Sequence, residues 1–304
     1  MAKAAGVSPA TVSFVLNETP GQVLREETRD RVRAAAKQLH YQPHRIARAL
    51  RAGSSPVVLL DIGPIWGGHI LDGFVQGMRD ELVTEGLTLL VRRGDEAPLD
   101  EMIDAVAPRA FVGLPSEYTG GSHSGRVEIE EGGRLDGLAA HAHTQLGFLA
   151  RLGHRHIAVA TPATSDASAR RIVDLRLQHA AAVRSELGLT QVTELPLTES
   201  PEDDRATVAA LLSDTPEITA VAALDDMLAM RTLRAADDLG IDVPADLAAI
   251  GFGNSAVGSL WKPALTTVEI DAVAFGHRAA RLALGKPVGE FARPASRVIV
   301  REST

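Results

Sequence analysis

The sequence predicts an α/β protein, in which a small all-α head precedes a larger body built on parallel sheets. Three observations support this prediction. Short helical patterns flank a glycine turn at the start of the chain, apolar strand runs alternate with amphipathic helices after Pro56, and the two parts carry opposite charge. The chain has 304 residues, which is enough for two or three ordinary domains with a proper core.

Charge is unevenly distributed along the chain. Residues 1–53 hold nine Lys/Arg and four Asp/Glu, a net charge of +5, whereas the remaining 22 Lys/Arg and 35 Asp/Glu give −13. A basic segment beside an acidic body is typical of a protein that brings its head to a polyanion and keeps its body away. A merely solvated basic helix is the plainer alternative, and charge alone leaves it open.

The composition excludes several classes of site. There is no cysteine, which excludes a disulfide framework, a thiolate metal site and a cysteine nucleophile. No apolar run reaches the roughly 18–20 residues needed to cross a bilayer, and the first residues contain no apolar signal-peptide core. We therefore expect a cytoplasmic protein without membrane contact, metal site or cofactor.

The first sixteen residues are typical of a helix, a tight turn and a second helix. Gly6 permits the sharp turn, Ser8 can cap the second helix, and Pro9 takes its first position, where no N–H is needed. The apolar stripe of that helix consists of Val12, Val15 and Leu16. The residues expected elsewhere on the helix, where a recognition helix meets base edges, are Ala10, Thr11, Ser13 and Phe14.

A third helix and a short basic segment complete the expected head. The helix should cover Glu26–Leu39, with inward-facing side chains at Val32, Ala35, Ala36 and Leu39. The basic segment covers residues 44–51 and carries Arg45, Arg48 and Arg51. Because eight isolated residues form only a marginal helix in water, we expect this segment to fold on a surface and to act as a hinge.

In the body, apolar runs typical of strands alternate with amphipathic patterns typical of helices. The expected strands are Val57–Ile62, Thr88–Arg92, Ala110–Leu114, Ile157–Ala160, Ala220–Ala223 and Leu247–Gly251. The helices expected between them include Ile70–Glu85, Leu138–Leu152, Arg171–Leu187, Asp225–Leu239 and Ala272–Leu284. This alternation predicts parallel sheets with helices on both faces, and a ligand cleft at the carboxyl ends of the strands.

Head and body together resemble the lactose-repressor (LacI) family. In the head the resemblance rests on residues 4–17 (AAGVSPATVSFVLN), 26–29 (EETR), 41–43 (YQP) and 47–50 (ARAL). In the body it rests on residues 152–158 (LGHRHIA), 243–247 (VPADL), 251–254 (GFGN) and 263–268 (PALTTV). The resemblance covers essentially the whole chain, and it implies a two-lobed body similar to periplasmic sugar-binding proteins.

The resemblance also implies a division into domains. The head with its hinge helix (44–51) would cover residues 1–53, and the effector-binding and dimerisation domain would cover 54–304. Within the body, lobe 1 is expected at about 56–130 and 269–288, and lobe 2 at about 131–268 and 289–304. The family's first helix normally begins several residues further upstream, so we expect a shortened first helix or a misassigned start.

The DNA contacts follow from the same resemblance, which makes Pro9 and Ala10 the principal base-reading residues. Leu50 would be the hinge leucine that enters the minor groove at the centre of a palindrome. The expected set is Ser8, Pro9, Ala10, Thr11, Ser13, Phe14, Asn17, His44, Arg45, Ala47 and Leu50. Phe14 stands where the family usually has arginine, so a guanidinium contact to guanine is lost. Phe14 could meet a thymine methyl group or pack in the core, and the sequence leaves both open.

The effector residues implied by the resemblance are Ser168, Arg171, Asp225 and Asn254, and Trp66 is added because it lies just beyond the first expected strand. Asp225 stands where the family has asparagine, and Gly253 stands where it has a carboxylate. Because carboxylates bind sugar hydroxyls through charge-assisted hydrogen bonds, moving the acid should change which ligand fits. Arg170 could replace Arg171, and Trp66 could stack on a sugar or pack at the lobe edge. The segment 114–138 is shorter than in the family, so the site could be incomplete.

These observations predict a sequence-specific transcription regulator that binds a palindromic DNA operator as a homodimer. By the resemblance it would repress a carbohydrate-related operon and be released by a small effector, a sugar being the first candidate. One alternative is a constitutive repressor with a degenerate cleft, and another is a sugar-binding protein of the same body fold. No nucleophile or base constellation accompanies Asp225 and Asp226, so we do not expect an enzyme.

Overall fold

The computed structural model describes residues 2–16, 24–39, 55–63, 68–94, 98–113, 135–288 and 296–304. The chain divides into two compact units, one formed by Met1–Pro56 with Asp104–Arg109, the other by Val57–Ile103 with Ala110–Thr304. The head belongs to the first unit and both sheets belong to the second. The domain and lobe limits expected above stay predictions.

Three helices form the head: α1 (Ala2–Ala5), α2 (Pro9–Leu16) and α3 (Glu26–Gln38). Gly6 has φ +63° between α1 and α2, a conformation that costs glycine little. The backbone N–H of Thr11 donates to Ser8 Oγ at 3.1 Å, so Ser8 is the predicted cap of α2. The predicted helix–turn–helix arrangement of these residues is therefore present.

A small apolar cluster holds the three helices together. Its buried members are Ala5, Val15, Val32 and Ala35, and partly buried Val7, Val12, Leu16 and Leu24 pack against them. The inward position predicted for Leu39 is wrong, because its side chain is 51% exposed. Since α3 ends at Gln38 and its last cluster member is Ala35, Leu39 lies beyond the described part of this core.

The second unit contains the strands and helices of the body. Its strands are β1 (Val57–Gly63), β2 (Thr88–Arg93), β3 (Ala110–Gly113), β4 (His156–Pro162), β5 (Gln191–Leu197), β6 (Ala220–Ala223), β7 (Ala248–Phe252), β8 (Thr266–Glu269) and β9 (Arg297–Ile299). Its helices are α4 (His69–Thr84), α5 (Leu99–Val106), α6 (Leu135–Arg151), α7 (Ala167–Val183), α8 (Pro201–Asp214), α9 (Asp226–Leu239), α10 (Ala256–Leu260) and α11 (Ala272–Ala283). The strands and helices named from the sequence are all present, and their ends differ by at most four residues.

The strands form two sheets, each with a point where the chain reverses direction across the sheet. The smaller sheet has the order β2-β1-β3 and is parallel, and the larger has the order β5-β4-β6-β7-β8-β9, parallel except for β8–β9. Helices α6 and α7 pack together, as do α8 and α9. Because crossovers between parallel strands are almost always right-handed, this strand order predicts that the two pairs cover opposite faces of the larger sheet. The reversals lie between β1 and β3 and between β4 and β6, where open α/β sheets leave a crevice at the carboxyl edge.

Helix α11 leaves the larger sheet after β8 and packs on α4, beside the smaller sheet. Its Ala279, Ala280 and Ala283 are buried in one cluster with side chains of β1 and α4. The two helices approach so closely that a Cβ at Gly276 would overlap the carbonyl oxygen of Phe74. The chain therefore passes from the larger sheet to the smaller one after β8 and returns before β9.

Candidate functional site

Six of the predicted DNA contacts lie at the start of α2, on the basic head. Three are exposed (Ser8, Pro9 and Ala10) and three are partly exposed (Thr11, Ser13 and Phe14). The hydroxyls of Ser8 and Thr11 are hydrogen-bonded to each other at 2.9 Å. The remaining predicted contacts lie outside the described residues: Asn17, His44, Arg45, Ala47 and Leu50. The role of each residue stays a prediction.

The position of Phe14 bears on the two alternatives that the sequence left open. Its side chain is partly exposed, and in the described head it is not among the side chains that pack on the cluster of Ala5, Val15, Val32 and Ala35. This placement favours an outward-facing ring over a core ring. An outward ring on a recognition helix could contact a thymine methyl group.

One cation beside α2 was not singled out from the sequence. A Cβ at Gly6 would lie 3.8 Å from Nη1 of Arg31, so this guanidinium lies against the α1–α2 turn. The exposed Ser8 and Pro9 follow that turn directly in the sequence. Arg31 itself is exposed on α3. An exposed guanidinium next to a recognition helix suits a phosphate contact. Its place depends on how α3 packs on the turn, which local sequence patterns do not reveal.

Asp225 lies at the carboxyl edge of the larger sheet, immediately after β6. Its Oδ1 accepts the backbone N–H of Leu228 at 2.8 Å, so it is the N-cap of α9. Burial raises the pKa of the Asp225 carboxyl, the Leu228 N–H opposes this in part, and the neighbouring Asp226 raises it further. Asp225 therefore lies at the reversal point, as an effector contact requires, but it also caps a helix.

The neighbouring Asp226 has a structural role. Its buried carboxylate accepts the hydroxyl of Thr267 and the backbone N–H of Ser255, both at 2.5 Å. A Cβ at Gly251 would overlap Asp226 Oδ1, so glycine is required there. This carboxylate joins α9, β8 and the start of α10 at the edge of the sheet.

Asn254 follows β7 at the same edge of the sheet. Its Nδ2 donates to Glu269 Oε1 at 2.8 Å, and its Oδ1 accepts from Arg301 Nη2 at 2.7 Å. Both polar groups of the side chain are thus bonded within the protein. A direct effector contact by Asn254 stays a prediction.

The other predicted effector residues are only partly accessible to description. Ser168 and Arg171 belong to the first turns of α7, but their side chains, like the whole of Trp66, lie outside the described part. Arg170 donates to both oxygens of Glu194 at 2.7 and 3.0 Å and also to Asp174. Because Arg170 is engaged in these ion pairs, Arg171 is the better candidate of the two arginines.

The sequence analysis missed a buried arginine near this edge. Arg176 on α7 is 6% exposed, and its guanidinium carbon lies 4.7 Å from the ring centroid of Phe252, the last residue of β7. The ring of His141 lies 5.4 Å from the same ring. Burial and then the charge of Arg176 lower the pKa of His141 to about 4, so this imidazole is neutral near pH 7.

A sequence signal for Arg176 does exist. The buried side chains of α7 recur at helical spacing, and one of them is a cation: Ala169, Val173, Arg176 and Ala180. An arginine within an apolar stripe is rarely fully buried unless a specific contact holds it. The stripe therefore marks Arg176 as a residue with a specific contact, and in the structure the ring of Phe252 supplies one.

The described residues contain neither a metal-binding cluster nor a membrane-spanning helix. No group of three or more His, Cys, Asp or Glu side chains there could hold a metal ion. Nor does any described helix have the length and apolar character to cross a bilayer.

Comparison with known proteins identifies both parts of the chain. Residues 1–44 match the family described as bacterial regulatory proteins, lacI family, and residues 146–304 match the periplasmic binding protein-like domain. The chain belongs to the LacI family. This membership confirms the resemblance found in the sequence, and it makes the protein a DNA-binding transcription regulator.

Relatives and solved structures agree with this LacI-family assignment. The HTH-type transcriptional repressor PurR of Shigella sonnei (strain Ss046) is 27% identical over 324 residues, covering 97% of this chain and 92% of the relative. The lac repressor dimer bound to operator and the anti-inducer ONPF superposes with a TM-score of 0.73 at 20% identity, covering 99% of this chain and 97% of the other. A complex of the regulator CelR with cellobiose gives 0.57 at 22% identity, covering 100% and 98%. The structures confirm the predicted fold class, and these relatives are regulators rather than enzymes.

Proposed function

We propose that this LacI-family protein is a homodimeric repressor that places its two heads on a palindromic operator and releases it when a saccharide occupies the body. The observation that carries the proposal is the start of α2, where Ser8, Pro9 and Ala10 are exposed, on a head with a net charge of +5. A recognition helix presents its N-terminal residues to base edges in the major groove. Because the operator belongs to a bacterial chromosome, the proposed place of action is the cytoplasm.

In the proposed complex, phosphate contacts would supply affinity and base contacts would supply sequence preference. Exposed cations of the head, Arg31 among them, would neutralise phosphates and make affinity strongly salt-dependent. Pro9, Ala10 and Phe14 would read base edges, and Leu50 would enter the minor groove between the half-sites. Two heads on half-sites one or more helical turns apart require a dimer, and the lac repressor neighbour is a dimer on its operator.

Effector binding is proposed at the carboxyl edge of the larger sheet. Asp225 could accept sugar hydroxyls, and buried Arg176 could donate to them, with Trp66, Ser168, Arg171 and Asn254 completing the proposed set. The cellobiose bound by the CelR neighbour supports a saccharide. A ligand that prefers the DNA-incompetent arrangement needs a coupling of only about 1–3 kcal/mol to release the operator.

The base-reading role of Pro9 and Ala10 is tested by changing both residues together. For Pro9→Ser with Ala10→Arg, fragments selected from random duplexes should differ from those of the natural protein by gaining a guanine in each half-site. An arginine that binds O6 and N7 of guanine discriminates by about 1–3 kcal/mol. The head's apolar cluster includes neither residue, so the fold should persist.

A matched control separates base reading from general attraction to DNA. Arg31→Ala should weaken binding to all duplexes alike and reduce the salt slope by about 1, while leaving the selected sequence unchanged. Selection of the natural half-site by the double variant would show that Pro9 and Ala10 do not read bases. A protein that selects no duplex at all would remove the proposed function.

A constitutive repressor is the second candidate function. It is favoured by the contacts of Asn254, whose two polar groups are already bonded to Glu269 and Arg301. Calorimetry of the full-length protein with cellobiose, other saccharides and nucleotides separates the two candidates. Binding that lowers operator affinity supports the inducible repressor, and a complete lack of binding to this panel supports the constitutive one.

A further inference from the structure

Glu269 and Arg297 mark the places where the chain leaves the larger sheet and returns to it. Glu269 is the last residue of β8, three residues before α11 begins, and Arg297 is the first residue of β9, which follows α11. The two residues are partners in the antiparallel register, and Arg297 Nε donates to Glu269 Oε2 at 2.5 Å. Any movement of α11 relative to the larger sheet has to be accommodated near this pair.

Asn254 bonds to both of these chain segments. Its Nδ2 donates to Glu269 Oε1 at 2.8 Å, and its Oδ1 accepts from Arg301 Nη2 at 2.7 Å, two residues beyond the end of β9. Its backbone N–H donates to the hydroxyl of Thr267 on β8 at 3.2 Å. Arg301 is fixed in turn, because its Nη1 donates to the carbonyl of Leu265 at 2.6 Å. One amide therefore bridges the outgoing and the returning segment.

The turn that carries Asn254 also meets the smaller sheet's helix α4. A Cβ at Gly253 would lie 3.3 Å from Cγ1 of Ile70, the second residue of α4. The first residue of α4, His69, is close enough to help Arg297 and Asn254 lower the pKa of Glu269, with the Arg297 contact as the largest cause. The Gly253–Asn254 turn thus touches the ligand edge, the two crossing segments and α4.

We propose that Asn254 is a positioning residue, a latch whose contacts to Glu269 and Arg301 hold the Gly253–Asn254 turn against α4 and so fix the lobes relative to each other. A ligand that replaces Glu269 or Arg301 as a partner of this amide loosens the turn against Ile70, so that α4 and α11 can shift while β8 and β9 stay paired. The release of the latch by a ligand rests on the proposed function, because it assumes that the cleft binds an effector. The latch thereby couples ligand binding in the cleft to movement between the two lobes.

The latch can be broken and rebuilt by exchanging the partners of one hydrogen bond. Asn254→Asp keeps the contact to Arg301 but puts a second carboxylate against Glu269, which opens that side of the latch. Aspartate also tolerates the φ of +50° found at this position, which alanine does not. Adding Glu269→Gln supplies a new amide donor to the aspartate, while the remaining amide oxygen still accepts from Arg297. The pair is thereby restored with the same net charge.

The readout is the distance between the lobes in the full-length protein without DNA or effector. Because the chain contains no cysteine, Val83→Cys on α4 and Ser213→Cys on α8, both exposed positions, can be spin-labelled specifically. Labelled chains are diluted with unlabelled protein so that a dimer carries at most one pair, and the distances are measured by double electron–electron resonance. Asn254→Asp should broaden or shift the distance distribution, and the double variant should restore it.

Two outcomes overturn the latch. One is a distribution in Asn254→Asp that equals that of the natural protein, and the other is a double variant that stays as broad as the single one. If Asn254→Asp does not fold, Glu269→Gln alone provides the test, since it leaves one acceptor for two donors and should broaden the distribution less. If Asn254 contacts the effector without positioning the turn, none of these measurements should change, and loss of DNA binding does not affect them.

Discussion

Replacing Gly276 by alanine should lower the free energy of unfolding by about 3 kcal/mol, the upper range for an overpacked core. The new Cβ would overlap the carbonyl oxygen of Phe74 and lie 2.8 Å from the backbone nitrogen of Met78. Both atoms belong to the backbone of α4, so no side-chain rotation can relieve the contact. The helices α4 and α11 have to separate, and Ala279 and Ala280 lose part of their burial.

The matched control is the same substitution at Gly147 on α6. A Cβ there would lie 3.5 Å from Leu187 Cδ2, an ordinary van der Waals distance. Because alanine is the better helix former, Gly147→Ala should leave stability unchanged or raise it by up to about 1 kcal/mol. Urea unfolding followed by circular dichroism compares the two variants. Equal effects would contradict the close approach of α4 and α11.

Arg231→Met should destabilise the larger lobe by about 3–5 kcal/mol, because it leaves a buried carboxylate without its cation. The Asp204 side chain is only 3% exposed, and Arg231 donates to both of its oxygens at 2.7 and 3.0 Å. The backbone N–H of Thr198 also donates to Asp204, at 2.7 Å. That remaining donor satisfies part of the carboxylate but does not neutralise it.

Arg234→Met, three residues further along α9, is the control for this prediction. Arg234 forms an exposed ion pair with Asp238, and such pairs contribute little to stability. Thermal unfolding should therefore distinguish the two methionine variants. Adding Asp204→Asn to Arg231→Met should recover part of the loss, because a neutral amide is less costly to bury than an unpaired charge. A melting temperature as high as that of Arg234→Met would show that the Asp204 pair is dispensable.

The strands named from the sequence were those with continuous apolar runs, since a parallel strand is buried on both faces. The sequence did not indicate β5, β8 or the three-residue edge strand β9, and β5 and β8 differ from that pattern for their own reasons. β5 is an edge strand and mostly only half-buried, so its residues are mixed. In β8, Thr266 and Thr267 are fully buried. The Thr266 backbone N–H donates to Ser303 Oγ, the Thr266 hydroxyl is hydrogen-bonded to that of Thr304, and the Thr267 hydroxyl donates to Asp226. Hydrophobicity alone cannot reveal a buried strand of this kind.

Sequence patterns predicted features of the candidate sites only where the interacting residues are a few positions apart in the chain. The caps formed by Ser8 and Asp225 depend on a donor three residues away; the Ser8 cap was expected, and the helix that Asp225 caps was expected to begin at that residue. The start of α7 was placed four residues late, because its cap Asp166 was not recognised. The Asn254–Arg301 contact joins residues 47 apart, and no pattern in the sequence indicates that they meet. Such contacts follow from topology, which the sequence predicted only in outline.

The exposed hydrocarbon at the start of α2 has a consequence for what the head could sense in DNA. Beside the paired hydroxyls of Ser8 and Thr11, this part of the helix exposes the ring of Pro9 and the methyl group of Ala10. Hydrocarbon recognises thymine by its C5-methyl group. 5-Methylcytosine displays that group at the same place on the base edge, so if Pro9 and Ala10 read bases as proposed, methylation of a half-site would make a cytosine resemble a thymine to them.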